Sequence, residues 1–242
     1  MGGLVPPPPK SRACVLSPLQ QRIATIIGGL PEAEDFALAG GAALIVHGTI
    51  DRRTRDLDFF GLEPDAVDRL APAVVQAIEA DGLSVQRVLD NPGFVRFVVS
   101  GLDDRTEVDL GSDARLFPAE QGPGFRLLTT EELGVDKVLA VFGRAEARDF
   151  IDLMAVEDEI GLSRLLVLAT EKDRGFDPMV FFEMTARFAR LRRDEFPLDN
   201  QGYERLAQRV VLWRARAREL SRAQGRIHDR DPDRGGDLGI GF

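Results

Sequence analysis

The stretch FALAGGAAL (residues 36–44), followed after a polar turn by RTRDLDFF (53–60), decides how this chain is read. DLDFF alternates with the period of a strand, so Asp56 and Asp58 project from one face while Leu57 and Phe59 point into a core. Two carboxylates a few ångströms apart repel, and without a cation one of them has its pKa raised. A divalent metal removes that conflict, because Mg²⁺ takes a few carboxylates together with phosphate oxygens and waters. Alone, such a pair is more often a solvated strand face. Gly40 and Gly41 stand immediately before a compact apolar helix predicted at 42–47, with Gly48 set to cap its end. Glycines let backbone N–H groups come close to a phosphate, and a helix N-terminus favours negative charge. By itself a Gly-Gly pair is usually a plain turn. Thr54, two residues before Asp56, faces the metal-lined side on a continuing strand.

Working outward, residues 1–15 are Pro-rich and predict an extended tail. Ser17 and Pro18 read as an N-cap and a first helical position, opening a helix to about residue 27. Residues 64–81 form an amphipathic helix pattern; 83–89, 94–100 and 106–110 read as strands, the last two joined by a turn at 101–104. The third of these carries EVDL (107–110), whose Asp109 is a further carboxylate between apolar residues. Thr129 with Glu132 fits a capping box for a helix to about residue 142, and another helix covers 145–158. Beyond Gly161 the strand signals stop; 163–172, 178–193 (N-cap Asp177) and 203–224 read as helices. The expected class is α+β. Its parts are a flexible tail at 1–15, a core at 16–160 with a small mixed sheet and helices, a helical C-terminal domain at 161–226, and a disordered tail at 227–242.

Composition narrows the function. Apolar residues make up 44%, enough for a buried core. Cys14 is the single cysteine, so no intramolecular disulfide forms and a reducing cytoplasm is expected. The N-terminus lacks the basic and apolar runs of a secretory signal, and no stretch approaches the roughly 18 apolar residues of a membrane span. Net charge is −9, but it is unevenly spread. Residues 1–185 hold 18 Lys+Arg against 31 Asp+Glu, whereas 186–242 hold 13 Arg against 9 acids. Arg187, Arg190 and Arg193 recur at helical spacing, and Arg205, Arg209, Arg216 and Arg222 form a looser set; such stripes either track an RNA backbone by charge or form a solvated helix face paired with Asp194, Glu195, Glu204 and Glu219. With only His47 and His228, a zinc site is excluded, and His47 reads as structural. There are 28 arginines but three lysines, which makes Lys137 informative.

Gly-Gly before a helix, Asp-x-Asp on the next strand and a later Asp on its neighbour together resemble the DNA polymerase β-like nucleotidyltransferase superfamily. The longer match over 36–60 is similar to one branch, the AbiEii/AbiGii-type toxin family that includes the mycobacterial MenT toxins. ELGVDK (132–137) and RDFIDL (148–153) resemble that family's downstream motifs, and the likeness covers about residues 17–195. The resemblance implies a polymerase β-like core in which Asp56, Asp58 and Asp109 hold Mg²⁺ or Mn²⁺ against the phosphates of an NTP. Lys137 would contact the triphosphate, Asp152 would orient Lys137 or Arg148, and Gly40, Gly41, Arg53, Thr54, Arg55 and Arg148 would bind the nucleotide. Asp149 shares a helix face with Asp152 and equally suits a first-turn acid stabilising its own helix.

The function so implied is that of a type IV-like toxin: NMP transfer from an NTP to RNA, the tRNA 3′ end, with pyrophosphate released and translation inhibited. A cognate antitoxin would act by direct contact or only by regulation, and no membrane partner is expected. The alternative is a nucleotidyltransferase acting on a small hydroxyl compound such as an aminoglycoside. A nucleotide-binding protein without turnover is disfavoured by the intact Asp56, Asp58, Asp109 and Lys137.

Overall fold

The computed structural model describes residues 16–228, so the Pro-rich segment 1–15 and residues 229–242 lie outside it. Packing divides the chain into two compact units between Leu133 and Gly134. The sequence marks a different point, near residue 160, where strand signals end. No helix among the described residues is long and apolar enough to cross a membrane.

The first unit opens with α1 (Pro18–Gly28). Its capping box is reciprocal: the Gln20 N–H donates to Ser17 Oγ at 3.2 Å, and the Ser17 N–H to Gln20 Oε1 at 3.0 Å. The Gln20 amide also donates to the Thr54 carbonyl (3.1 Å) and Thr106 Oγ1 (3.3 Å), tying the helix start to the sheet. A 3₁₀ turn at Pro31–Ala33 leads to β1 (Ala37–Ala39) and α2 (Gly40–His47), which Gly48 ends at φ 74°. Then come β2 (Asp56–Gly61), α3 (Pro64–Ala80), β3 (Ser84–Asn91), β4 (Phe94–Ser100) and β5 (Arg105–Ser112). Two-residue strands β6 (Glu120–Gln121) and β7 (Arg126–Leu127) complete a seven-stranded sheet ordered β3-β4-β5-β2-β1-β7-β6. β2 runs parallel to β5 and β1 to β7; the other four pairings are antiparallel.

Alternation makes the sheet two-faced. Leu57, Phe59, Val95, Phe97, Val99, Val108 and Leu110 are buried on one side, and α3 packs there with Val67, Leu70, Val74 and Ile78. Burying such a side chain stabilises by about 1.5–3 kcal/mol. A one-residue slip of β2 or β5 would exchange these side chains for carboxylates, so the register is strongly specified.

The division between the units falls within α4 (Thr130–Gly143). Only half of its expected capping box forms. Thr129 Oγ1 accepts from the Glu132 N–H at 3.2 Å, but the Glu132 carboxylate accepts instead from the Leu116 and Phe117 N–H groups, each at 2.9 Å.

The second unit is helical: α5 (Ala147–Ile160), α6 (Leu162–Lys172), α7 (Pro178–Met184) and α8 (Asn200–His228). Its core holds an aromatic cluster in which Phe188 meets Phe196 at 5.2 Å and Phe150 stacks on Trp213 at 6.2 Å. One expectation is corrected here. The helix predicted at 178–193 is α-helical only to Met184, continues as a 3₁₀ turn over Thr185–Arg190, and gives way to extended backbone at Leu191 and Arg192. The Phe182 carbonyl, which an α-helix would offer to the Ala186 N–H, accepts from Thr185 Oγ1 (2.6 Å) and Arg214 Nη1 (2.7 Å). Side chains have captured the acceptor that α-helical propagation needed.

Candidate active site

The parallel pairing of β2 with β5 sets Asp56 opposite Glu107 and Asp58 opposite Asp109. The antiparallel pairings on either side add Arg96 opposite Asp109 and Ala39 opposite Asp58. Residues directly opposite one another share a sheet face. One level of the sheet therefore reads Arg96, Asp109, Asp58, Ala39 across four strands, with Glu107 and Asp56 one step along. The three carboxylates expected from the sequence are brought together on the face away from the core. Asp109 is 5% exposed, and Asp56 and Asp58 are half-buried.

The turn from β1 into α2 closes over this level. Gly40 has φ +60°, and a Cβ there would stand 2.0 Å from Asp58 Oδ2. Only glycine satisfies both conditions. A Cβ on Gly41 would meet Arg52 Nη2 at 2.8 Å and Thr54 Oγ1 at 3.4 Å. No side chain caps the N-terminus of α2, since its N-cap is Ala39. Thr54 precedes β2 rather than belonging to it, yet its hydroxyl donates to Asp56 Oδ1 at 2.5 Å. Arg53 and Arg55 are exposed, whereas Arg52, which the sequence reading passed over, lies against Gly41.

Arg96 was also missed. Its Nε donates to Asp109 Oδ1 at 2.7 Å and its Nη2 to Oδ2 at 2.6 Å, and Nη1 lies 3.5 Å from Glu107 Oε2. The hydrogen bonds to Asp109 hold the guanidinium protonated above its ordinary range, outweighing the opposing effect of burial. A signal for this pair exists in the sequence: four loop residues at 101–104 set Ser100 opposite Arg105, and counting back from there brings Arg96 opposite Asp109.

A hard divalent cation takes oxygen donors, and Asp56, Asp58 and Asp109 supply donors of that type from one face of the sheet. Among the described residues no three His, Cys, Asp or Glu side chains are arranged closely enough to hold a metal ion as they stand. Asp109 is turned onto Arg96, which accounts for part of that arrangement.

The other expected residues belong to the second unit. Lys137, 7% exposed, has its Nζ 3.0 Å from Asp152 Oδ2, and the Asp152 side chain is fully buried. Asp149 is the N3 residue of the α5 capping box and also sits in the fork of Arg144, at 3.0 and 2.9 Å. It thus stabilises its own helix start. Arg148 is half-exposed with its Nε 3.1 Å from Glu146 Oε2. Lys172, buried on α6, pairs with Asp136. In the first unit, His47 Nε2 lies 2.8 Å from the Leu128 carbonyl, a structural contact.

The arginine stripe is only partly available. Arg193 lies beyond the 3₁₀ turn, donates to the Phe196 and Leu198 carbonyls (2.8 and 2.6 Å), and stacks 4.6 Å above Tyr203. Arg209 pairs with Glu157 and Asp158, and Arg216 with Glu219. Arg187, Arg190, Arg205 and Arg222 are exposed.

No curated protein matches the chain. Among solved structures, JHP933 from Helicobacter pylori is 19% identical with a TM-score of 0.52, covering 87% of this chain and 95% of that one. That likeness speaks for the fold. MenT4, a nucleotidyltransferase toxin from Mycobacterium tuberculosis, is 17% identical with a TM-score of 0.45, covering 83% of this chain and 80% of that one. The family described as nucleotidyl transferase AbiEii toxin, type IV toxin–antitoxin system, matches residues 28–230, and the chain belongs to that family.

Proposed function

We propose that the chain moves a nucleoside monophosphate from an NTP onto an RNA acceptor, the 3′ end of tRNA, releasing pyrophosphate and arresting translation in the cytoplasm until a cognate antitoxin restrains it. The observation that carries this reading is the level at which Asp58 and Asp109 stand opposite each other, with Asp56 one step along the same face and Gly40 closed against Asp58.

Mg²⁺ or Mn²⁺ bound by Asp56, Asp58 and Asp109 would neutralise charge on the phosphates. The chain's own groups do the rest. Gly40 and Gly41 bring no side chain of their own to the start of α2, which lets its N–H groups approach a phosphate closely. Thr54 orients the Asp56 carboxylate through its hydrogen bond. Asp109 helps remove the acceptor hydroxyl's proton as that oxygen bonds to the α-phosphorus and the bond to pyrophosphate breaks. Lys137, held by Asp152, offers a compact ammonium to the triphosphate. Arg53, Arg55 and Arg148 add phosphate contacts from exposed positions. Exposed arginines at 187, 190, 205 and 222, in a segment where arginine outnumbers acid, support a polyanionic acceptor.

The test is incubation with total RNA, Mg²⁺ and each labelled NTP in turn. Label in a tRNA-sized band from one preferred NTP is expected. Label on an added aminoglycoside and none on RNA would replace the acceptor; no label with any NTP, RNA or small hydroxyl compound would remove the transferase reading.

A further inference from the structure

Asp109 is more buried than Asp56 or Asp58, and it already has a cation. Arg96 and Asp109 are cross-strand partners on β4 and β5, joined by two parallel hydrogen bonds of 2.7 and 2.6 Å. This fork-to-fork geometry is the strongest way for an arginine to hold a carboxylate. On its other side Asp109 faces Asp58 across the parallel pair. Like charges directly opposite each other destabilise a sheet, and a guanidinium beside one of them relieves that repulsion. The same guanidinium lies 3.5 Å from Glu107, so it serves the neighbouring level too.

We propose that Arg96 is a resident counter-ion of Asp109: it positions the carboxylate while no divalent cation is bound, and cation and guanidinium then compete for the same two oxygens. The proposal rests on the reading that Asp56, Asp58 and Asp109 bind a divalent cation. Two consequences follow. The carboxylate face can fold without metal, because its most buried member is compensated internally. And the protein binds a cation more weakly than three carboxylates would, until a triphosphate supplies new negative charge to which Arg96 can turn. Arginine suits this role better than lysine, since its planar fork engages both oxygens at once and stays charged throughout the physiological range.

Mn²⁺ binding without nucleotide, followed by the loss of the free-ion electron paramagnetic resonance signal, tests the competition. Four proteins are compared: the unaltered chain, Arg96→Gln, Asp109→Asn, and the double variant. Arg96→Gln should bind Mn²⁺ about tenfold more tightly, as expected when the cation no longer has to displace charge-assisted hydrogen bonds from the Asp109 oxygens. Asp109→Asn alone should change affinity little, because Asp109 is already occupied. In the double variant the gain should vanish. Arg96→Lys, which keeps the charge and loses the fork, should fall between the unaltered chain and Arg96→Gln; it also serves if the glutamine variant does not fold. Equal or weaker binding by both Arg96 variants, with the unaltered chain still binding Mn²⁺, overturns the competition and leaves the metal reading standing. A gain that survives in the double variant also overturns it, because the gain then does not come from Asp109. No Mn²⁺ binding by any of the proteins removes both.

Discussion

The two units handle their acids in opposite ways. In the second, the more buried acids each have a cation at hand: Asp152 has Lys137, Asp136 has Lys172, Asp149 has Arg144 and Glu157 has Arg209. In the first, Asp56, Asp58, Glu107 and Asp109 crowd onto two adjacent strands around Arg96. Matched pairs are how a fold offsets the desolvation of ions it buries. Crowded like charges oppose folding, and they persist where chemistry uses them. On the proposed function, the difference separates acids that hold the protein together from acids placed to act.

Removing one charge from each region should give opposite results. Asp56→Asn or Asp58→Asn keeps the shape and loses the charge. Nucleotidyl transfer should fall by on the order of 10³-fold or more, since a lost metal ligand costs several kcal/mol of barrier. The melting temperature should hold or rise, because repulsion has been relieved. Transfer at the normal rate by either variant would erase the functional half of the comparison.

In the second unit the loss should fall on stability. Lys137→Met takes the ammonium away from the buried Asp152 carboxylate, a kind of change that costs about 3–5 kcal/mol. Lys137→Met combined with Asp152→Leu should recover most of that in urea unfolding. If the triphosphate role of Lys137 is correct, the double variant stays inactive although it is folded. A single variant that unfolds at the normal urea concentration would show that the pair contributes nothing structural.

Two glycines sharpen the comparison inside the first unit. Gly40 and Gly48 both have positive φ, but a Cβ on Gly40 meets Asp58 Oδ2 at 2.0 Å while one on Gly48 meets nothing within 4 Å. Each alanine substitution should cost about 1–2 kcal/mol of stability from backbone strain. Only Gly40→Ala should also depress transfer, because it must push the Asp58 carboxylate aside. Equal transfer by the two variants would mean that the position of Asp58 is not critical.

Much of this was legible in the residues, and the gaps have physical causes. The helix start at Ser17, the strand at Asp56 and the three carboxylates follow from local patterns of cap and alternation. Asp109 could be set beside Asp58 only through a resemblance, since no local pattern says which strands are neighbours. Arg96 needed a register count across the turn at 101–104. β6 and β7 are two residues each, too short to have a period. The broken helix after Met184 depends on Arg214, some 30 residues later, reaching back to the Phe182 carbonyl. Such long-range capture leaves no mark on the segment it alters.

That broken helix also decides the smallest expected effect. Evenly spaced arginines at 187, 190 and 193 suggested one continuous basic stripe, but Arg193 is spent on two carbonyls and Tyr203. Arg187 and Arg190 remain, three residues apart on a 3₁₀ turn, where side chains at that spacing eclipse on one face. Reversing both to Glu should weaken RNA binding several-fold and lower the salt dependence by about two phosphate contacts, a slope change near 1.5–2. NTP binding and melting temperature should stay put, because neither side chain is buried. Arg193→Glu should do the reverse, lowering the melting temperature while leaving the salt slope nearly unchanged. Filter binding across a salt series reads both. An unchanged slope in the double reversal would move the RNA off this turn and leave Arg205 and Arg222 on α8 as the exposed arginines still to be tried.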